Sequence, residues 1–196
     1  MQPTVEFLFD FVSAPSALAW FSLPKRVQQA GARLVMTPVV ITGIFKATGN
    51  IAPLSLPAKM DWLRRDLARW AGMRGVVLHP SPRLPFRSLP YLRGCLLAQE
   101  RGEESRFIQA VFDAAFVRGE DMDDAQTVAR LLQGAGLDPL AYLEGIERQD
   151  VKDQLRRNTE EAVERKVFGV PTFFVNGELF FGQDRLDFVM EALQGR

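Results

Sequence analysis

The stretch FGVPTFFVNGELFFGQDRLDF, residues 168–188, decides the fold of this 196-residue chain. Two short runs rich in apolar and aromatic residues lie on either side of Asn176-Gly177, which is a strong signal for a type I′ hairpin turn. Gly182 ends the second run, and apolar residues recur at helical spacing after Asp184, which is suited to be the N-cap of a helix. The stretch therefore predicts strand, turn, strand and a closing helix.

The N-terminal segment predicts a strand–helix–strand unit. Residues 5–12 alternate with a period of two, which indicates a strand, and residues 13–16 break the alternation. Helix-forming residues then fill 17–30 before Gly31, and residues 34–40 indicate a second strand. A serine before a segment with proline in its first turn is a helix-start signal, which places the start of the helix at this break.

The middle of the chain, from about 44 to 167, has apolar residues at helical spacing and predicts four to six helices with a proline-rich loop at 79–90. With 47% hydrophobic residues, a chain of this length can bury a substantial core as a single domain. The prediction is one α/β unit whose βαβ…ββα core is formed by about 1–42 and 167–196. An all-helical insertion takes up about 43–166.

Composition narrows the class of function. The 24 basic and 24 acidic residues balance, so neither nucleic acid nor a membrane is an expected partner. Cys95 is the only cysteine, which rules out an intrachain disulfide and fits a reducing compartment. His79 is the only histidine, so histidine-based triads and histidine-rich metal sites are excluded, and no metal is expected. No apolar run could span a bilayer and the N-terminus does not resemble a signal peptide, so the cytoplasm is the expected location.

Two candidate sites lie where turns meet helices or strands. Ser13 precedes the first helix, where its hydroxyl and the helix N-terminus favour a negative charge, although helix capping alone would explain an isolated serine. Pro171 suits the first residue of a strand, an edge or a bend. A cis bond there would free the backbone of Val170 to pair with an extended peptide, although most X-Pro bonds are trans.

Two further candidates are polar residues beside turns. At 182–185 the helix N-terminus could hold a ligand's carboxylate while the Asp184 carboxylate receives its ammonium, which suits an amino-acid head group; helix capping is the simpler explanation. Lys46 and Asn50, with Lys59 further on, could face an anionic substrate. A solvated surface turn is the simpler explanation for these three.

Four segments resemble a known family. They are VEFLFDFVSAPSALAW (5–20), PVVITGIFKATGN (38–50), DLARW (66–70) and FGVPTFFVNGELFFGQDRLDFV (168–189), and they resemble 2-hydroxychromene-2-carboxylate isomerases. These enzymes belong with kappa-class glutathione transferases in the DsbA-type branch of the thioredoxin fold. The resemblance runs in order along nearly the whole chain, and it implies a thioredoxin-like core with the helical insertion of that family.

The resemblance implies a glutathione cofactor. In such enzymes a serine at the position of Ser13 contacts the glutathione sulfur, where disulfide oxidoreductases carry the first cysteine of CxxC. The residue at Val170, just before a cis-proline at Pro171, pairs through its backbone with the cysteinyl unit. Residues that match Gln183 and Asp184 bind the γ-glutamyl end.

Other residues are candidates for contact with the glycyl end of glutathione or with the substrate. Asn50 and Lys59 match positions that reach the glutathione glycyl end or the substrate, and Lys46, Asn50 or Lys59 could bind the carboxylate of a small aromatic substrate. Ser16 matches the second cysteine of CxxC and remains a minor alternative as partner of the thiolate. Relatives are commonly dimers, which makes a homodimer possible.

One segment departs from the family pattern. The family usually reads Ser-Pro-x-Ser/Ala-Tyr, whereas residues 13–17 read Ser-Ala-Pro-Ser-Ala. The proline still fits the first helical turn, so the helix is expected to form. Because the tyrosine is missing, the family pattern does not specify the wall of the pocket, and it therefore does not specify the substrate.

The expected function is glutathione-dependent cis–trans isomerisation of a 2-hydroxychromene-2-carboxylate-like aromatic keto acid, of the type found in polycyclic aromatic degradation. The bound thiolate would add to the conjugated carbon of the ring-opened substrate, rotation would follow, and elimination would give the trans alkene. Three alternatives stay open. They are a kappa-class-like glutathione transferase, a thiol–disulfide oxidoreductase, which serines at both cysteine positions disfavour, and a non-catalytic glutathione-binding protein.

Overall fold

A four-stranded mixed sheet is the scaffold of the protein, for which the computed structural model describes residues 2–195. Its strands, in the spatial order β2-β1-β3-β4, are β1 (Thr4–Phe9), β2 (Arg33–Pro38), β3 (Thr172–Val175) and β4 (Glu178–Phe181). β1 runs parallel to β2 and antiparallel to β3, and β3 and β4 form a hairpin. Phe7 in β1 lies opposite Met36 in β2 and Phe173 in β3, which defines the register of the three strands.

Helices make up most of the remaining chain, and residues 2–195 contain ten α-helices. They are α1 (Ala14–Trp20), α2 (Leu23–Gln29), α3 (Ile41–Thr48), α4 (Pro57–Met73), α5 (Leu89–Glu100), α6 (Glu104–Phe112), α7 (Ala125–Gly134), α8 (Pro139–Gly145), α9 (Gln149–Glu164) and α10 (Leu186–Leu193). Short 3-10 turns lie at Pro53–Ser55 and Gln183–Arg185, and a π-helical segment at Asp113–Val117 directly follows α6.

The insertion between β2 and β3 contains more helices than the sequence predicted. Seven of the α-helices, α3 to α9, lie there, so the prediction of four to six was too low. Glycines with positive φ stand just after two of them, Gly102 after α5 and Gly136 after α7. Such glycines allow a helix to end in a tight turn and the next to begin within a few residues.

The helix predicted over 17–30 is two helices, and the first begins earlier, at Ala14. α1 ends at Trp20 and α2 begins at Leu23, with Pro24 at its second position. Proline has no backbone N–H and its ring clashes with the preceding turn, so it is tolerated at a helix start and not in the middle of a helix. Pro24 therefore interrupts the predicted helix and begins a new one.

The hairpin turn is as predicted, because Asn176 (φ 52°) and Gly177 (φ 84°) both have the positive φ that a type I′ turn needs. The first strand is shorter than predicted. β1 ends at Phe9 because the chain then turns, with the N–H of Ser13 donating to the carbonyl of Asp10 at 3.1 Å. This turn places Ser13 at the start of α1.

Aromatic side chains join the sheet to the helical insertion. The ring of Phe7 stacks on Phe9 and on Phe173, with centroids 4.9 and 5.4 Å away. Phe11 extends the cluster to Phe112 of α6, at 5.0 Å. All five rings are fully buried, so one continuous core holds the sheet and the insertion together.

Two helical glycines test this packing. A Cβ at Gly94 in α5 would lie 2.5 Å from Cζ of Phe107, whereas a Cβ at Gly134 in α7 would meet nothing within 4 Å. Overpacking costs about 1–3 kcal/mol, and the better helix propensity of alanine offsets up to about 1 kcal/mol of it. In chemical denaturation we expect Gly94→Ala to lower the free energy of unfolding by about 1 kcal/mol and Gly134→Ala to leave it unchanged or raise it. Equal changes in both variants would contradict the packing of α5 on Phe107.

Candidate active site

Ser13 lies where β1 leads into α1, and its side chain makes two hydrogen bonds. The hydroxyl oxygen accepts from the N–H of Ser16 at 3.2 Å, which makes Ser13 the N-cap of α1. The same hydroxyl donates to the carbonyl of Val170 at 3.4 Å, and Ser13 is only 7% exposed. The hydroxyl therefore caps the helix and also contacts the loop that precedes β3.

The first turn of α1 offers few backbone donors to an anion. The helix has only seven residues, fewer than the helix that the sequence predicted. Pro15, at its second position, has no N–H, and the N–H of Ser16 is already bonded to Ser13. The amide of Ala14 is the first-turn N–H that neither the helix nor the cap uses. Stabilisation of a negative charge here depends mainly on the Ser13 hydroxyl.

The two remaining positions of the unusual segment face the interior. Ala17, which stands where the family pattern has tyrosine, is fully buried. Ser16 is also fully buried, and its Oγ has no hydrogen-bond partner among residues 2–195. Only Ser13 of these two serines has a hydroxyl that contacts Val170 within residues 2–195, so the geometry favours Ser13 over Ser16 as the partner of a thiolate.

The loop before β3 is held between Ser13 and the turn that follows β4. The Val170–Pro171 peptide bond is cis, as the resemblance implies. The carbonyl of Pro171 accepts from the N–H of Gly182 at 3.0 Å, while the carbonyl of Val170 accepts from Ser13. These contacts bring the N-terminal and C-terminal halves of the core together at one place.

The turn after β4 presents an acidic side chain. Gly182 has φ +110°, and a Cβ there would lie 2.5 Å from Oδ1 of Asp184, so glycine is needed for this turn and for the position of the carboxylate. The prediction that Asp184 is the N-cap of the last helix is wrong. The chain first makes a 3-10 turn, so α10 begins at Leu186 and Arg185 occupies the cap position. The Asp184 carboxylate is partly exposed and lies 3.3 Å from the Arg185 guanidinium.

Gln183 carries a buried acceptor that has no donor. The side chain is 5% exposed, and within the part of the chain that the structure describes no donor reaches its Oε1. A buried polar atom without a hydrogen bond costs about 1–3 kcal/mol, so such atoms in folded proteins need an explanation. An ammonium or N–H group of a ligand would satisfy this oxygen.

Asp10 is a site residue whose importance the sequence analysis missed. Its carboxylate accepts from the N–H of Ile41 at 3.0 Å and from the N–H of Val12 at 3.3 Å. Burial raises the pKa of the Asp10 carboxyl from its ordinary value, and the backbone hydrogen bonds, first that of Ile41, oppose the rise. Asp10 therefore ties the turn before Ser13 to the start of α3. The signal for it was an acidic residue inside an otherwise apolar run of phenylalanines.

Asn50 is hydrogen-bonded to the backbone, whereas the two candidate lysines are exposed. Nδ2 of Asn50 donates to the carbonyl of Phe168 at 2.7 Å, and its Oδ1 accepts from the N–H of Ile51 at 2.8 Å. Asn50 thus links the end of α3 to the loop before β3. Lys46 on α3 and Lys59 on α4 are exposed, and neither forms an ion pair with any residue from 2 to 195.

Within residues 2–195, no helix is long and apolar enough to cross a membrane. The same residues contain no group of three or more His, Cys, Asp and Glu side chains placed to hold a metal ion.

Comparisons with known proteins agree with this architecture. The model of the DSBA-like thioredoxin domain family matches residues 4–194. A 2-hydroxychromene-2-carboxylate isomerase of Pseudomonas putida is 31% identical over 194 residues, which cover 98% of this chain and 94% of the relative. Glutathione S-transferase kappa 1 of Homo sapiens is 28% identical over 212 residues, which cover 97% of this chain and 90% of the transferase.

A solved structure shows the same likeness. The structure of a 2-hydroxychromene-2-carboxylate isomerase matches with a TM-score of 0.89 at 30% identity, covering 98% of this chain and 95% of the other. The predicted thioredoxin-like core with a helical insertion is confirmed. The chain therefore belongs to the DSBA-like thioredoxin domain family, and within it to the family of the 2-hydroxychromene-2-carboxylate isomerases.

Proposed function

We propose that the protein is an isomerase that uses glutathione to convert a 2-hydroxychromene-2-carboxylate-like aromatic keto acid between its cis and trans forms. Relatives that carry the name of this isomerase match the chain over nearly its full length, which supports an isomerase. The observation that carries the proposal is the hydroxyl of Ser13, 3.4 Å from the carbonyl of Val170 beside a cis-proline. A hydroxyl in place of a redox-active cysteine can hold a thiolate but cannot form a disulfide with it.

The residues around Ser13 fit a γ-glutamyl tripeptide. The Oε1 of Gln183 lacks a donor that an ammonium would supply, and the partly exposed Asp184 carboxylate adds a complementary charge. We assign the γ-glutamyl ammonium to these two side chains, the cysteinyl backbone to Val170 and the sulfur to Ser13. When bound, glutathione supplies a thiolate nucleophile for reversible addition to a conjugated double bond.

Ser13 can serve a thiolate without giving up its capping role. A hydroxyl has one proton to donate and two lone pairs with which to accept. It accepts from Ser16 and donates to Val170 over 3.4 Å, which is long for such a bond. Turning the proton to a sulfur anion replaces a weak neutral bond with a charge-assisted one, worth about 1.5–3 kcal/mol. The same change frees the carbonyl of Val170 to pair with a peptide N–H.

Lys46 and Lys59 are the side chains that we assign to the carboxylate of the substrate. Both are exposed, and their ammonium groups have no ion-pair partner between residues 2 and 195. The amide of Asn50 already bonds to Phe168 and Ile51, so we give it the role of holding the loop before Pro171.

An assay of the purified protein with 2-hydroxychromene-2-carboxylate tests the proposal. We expect formation of the trans isomer to require glutathione and to stop when S-methylglutathione replaces it, because a thioether cannot ionise. The total glutathione concentration should stay constant during turnover. Isomerisation at the same rate without glutathione would contradict the proposal.

A glutathione transferase of the kappa type is the second candidate, and the 28% identical relative from Homo sapiens supports it. A chloronitrobenzene substrate separates the two, since a transferase consumes one glutathione for each conjugate that it releases. Thiol–disulfide exchange should be absent from an insulin-reduction assay, because serines stand at both cysteine positions. A non-catalytic glutathione-binding protein would be stabilised against heat by millimolar glutathione and would turn over neither substrate.

A further inference from the structure

Arg74 connects the helical insertion to two segments of the thioredoxin-like core. It directly follows α4, and its Nη1 donates to the carbonyl of Leu18 at 2.6 Å while its Nη2 donates to the carbonyl of Gln183 at 2.7 Å. Leu18 lies in α1, the helix that Ser13 caps. One side chain therefore holds α1 and the turn after β4 at a fixed separation.

The surroundings of Arg74 hold its guanidinium in place. The group lies over the indole of Trp70, 5.3 Å from the ring centroid. Burial, and next the charge of Arg26, lower the pKa of Arg74 from its ordinary value, and Asp184 and Asp187 offset part of this effect. An arginine keeps its charge at neutral pH under these conditions. Arg74 is thus a charged, half-buried side chain whose hydrogen bonds go to backbone carbonyls.

Bridging two carbonyls in this way requires the shape of arginine. The guanidinium is a planar fork whose two terminal nitrogens donate in fixed directions, whereas a lysine ammonium is a single point of charge on a flexible stem. A lysine at 74 could therefore bond to Leu18 or to Gln183, but not to both with the same spacing.

We propose that Arg74 is a positioning residue that sets the distance between the thiol end and the γ-glutamyl end of the glutathione site. The inference rests on the proposed function, because Ser13 is assigned to one end and Gln183 with Asp184 to the other. Arg74 acts through the backbone of Gln183. Its loss should weaken the γ-glutamyl contacts while the Ser13 hydroxyl stays beside Val170.

The test compares Arg74→Met and Arg74→Lys with Arg64→Met, a control on the exposed side of α4. Calorimetry would measure the Kd of glutathione and of the dipeptide cysteinylglycine, which lacks the γ-glutamyl unit. We expect Arg74→Met to raise the Kd of glutathione roughly tenfold, with a smaller rise for Arg74→Lys and none for Arg64→Met. The Kd of the dipeptide and the kcat at saturating glutathione should change by less than about twofold.

Hydrogen exchange of the protein without ligand gives a second readout that does not depend on glutathione. Amides at 182–188 should exchange faster in Arg74→Met than in the wild type and in Arg64→Met. An unchanged Kd for glutathione with unchanged exchange would overturn the inference, as would an equal loss of affinity for both peptides. If the wild type binds no glutathione, the proposed function fails, and the exchange data alone decide whether Arg74 holds the turn. If Arg74→Met does not fold, the same measurements on Arg74→Lys test the inference.

Discussion

Replacing Ser13 with alanine should lower the kcat of glutathione-dependent isomerisation about 10- to 100-fold and raise the pKa of the bound thiol. The Ser13 hydroxyl donates to the carbonyl of Val170, directly before the cis-proline. Without it the thiolate loses a charge-assisted hydrogen bond of about 1.5–3 kcal/mol, and each 1.4 kcal/mol corresponds to about a factor of ten in rate. Steady-state kinetics at saturating glutathione would measure the effect.

The serine that follows one turn later gives a matched comparison for this prediction. Ser16→Ala makes the same chemical change at a fully buried position whose hydroxyl has no hydrogen-bond partner between residues 2 and 195, so its kcat should stay within about twofold of the wild type. Ser13→Ala also removes the cap of α1, which costs about 1 kcal/mol of stability. Kinetics should therefore be measured well below the melting temperature of each variant. A larger kcat loss in Ser16→Ala than in Ser13→Ala would show that Ser16, and not Ser13, is the partner of the thiolate.

Replacing Asp184 with asparagine should raise the Kd of glutathione about 10- to 100-fold while kcat at saturation changes little. The change removes one negative charge from the proposed site of the γ-glutamyl ammonium and keeps the size of the side chain. The nearby Arg185 would then repel the ammonium without an opposing carboxylate. Calorimetry with glutathione would give the Kd directly.

Asp187→Asn is the control for this second prediction. Asp187 also carries a carboxylate, and its side chain is 82% exposed and pairs with Arg26 at 2.5 Å, on the first turn of α10. We expect its Kd for glutathione to match the wild type. The Kd of cysteinylglycine should be the same for the wild type and Asp184→Asn, because the dipeptide has no γ-glutamyl group. Equal Kd values for glutathione in Asp184→Asn and the wild type would show that the ammonium binds elsewhere.

The parts of the fold that the sequence predicted well are set by local chemistry. The Asn176-Gly177 turn needs two residues with positive φ, and few other pairs supply them, so the hairpin is visible in the sequence. The alternation of the first strand separates the two faces of the sheet, because Phe7 and Phe9 lie in the main core whereas Leu8 packs in a second buried cluster. Ser13 and Pro171 were identified by their places at the ends of such elements.

The parts that the sequence analysis missed depend on contacts between distant segments. Asp10 is important because Ile41, 31 residues further along, donates to its carboxylate, and Arg74 because Gln183, 109 residues away, accepts from its guanidinium. No local periodicity encodes such partners. The unpaired Oε1 of Gln183 is likewise a property of the folded surroundings and not of the residue type. Among the missed features, only the division of the predicted helix at Pro24 could have been predicted from the sequence, because proline is not tolerated in the middle of a helix.

The proposed function requires that the thiol of bound glutathione ionises against the hydroxyl of Ser13. The most direct measurement is the ultraviolet absorbance of the thiolate, recorded against pH for glutathione bound to the wild-type protein and to Ser13→Ala. We expect the pKa of the bound thiol to lie at least about one unit below the pKa of about 8.5 of a free thiol, and to return toward that value in the variant. A bound thiol that titrates like free glutathione in the wild type would contradict the proposed function.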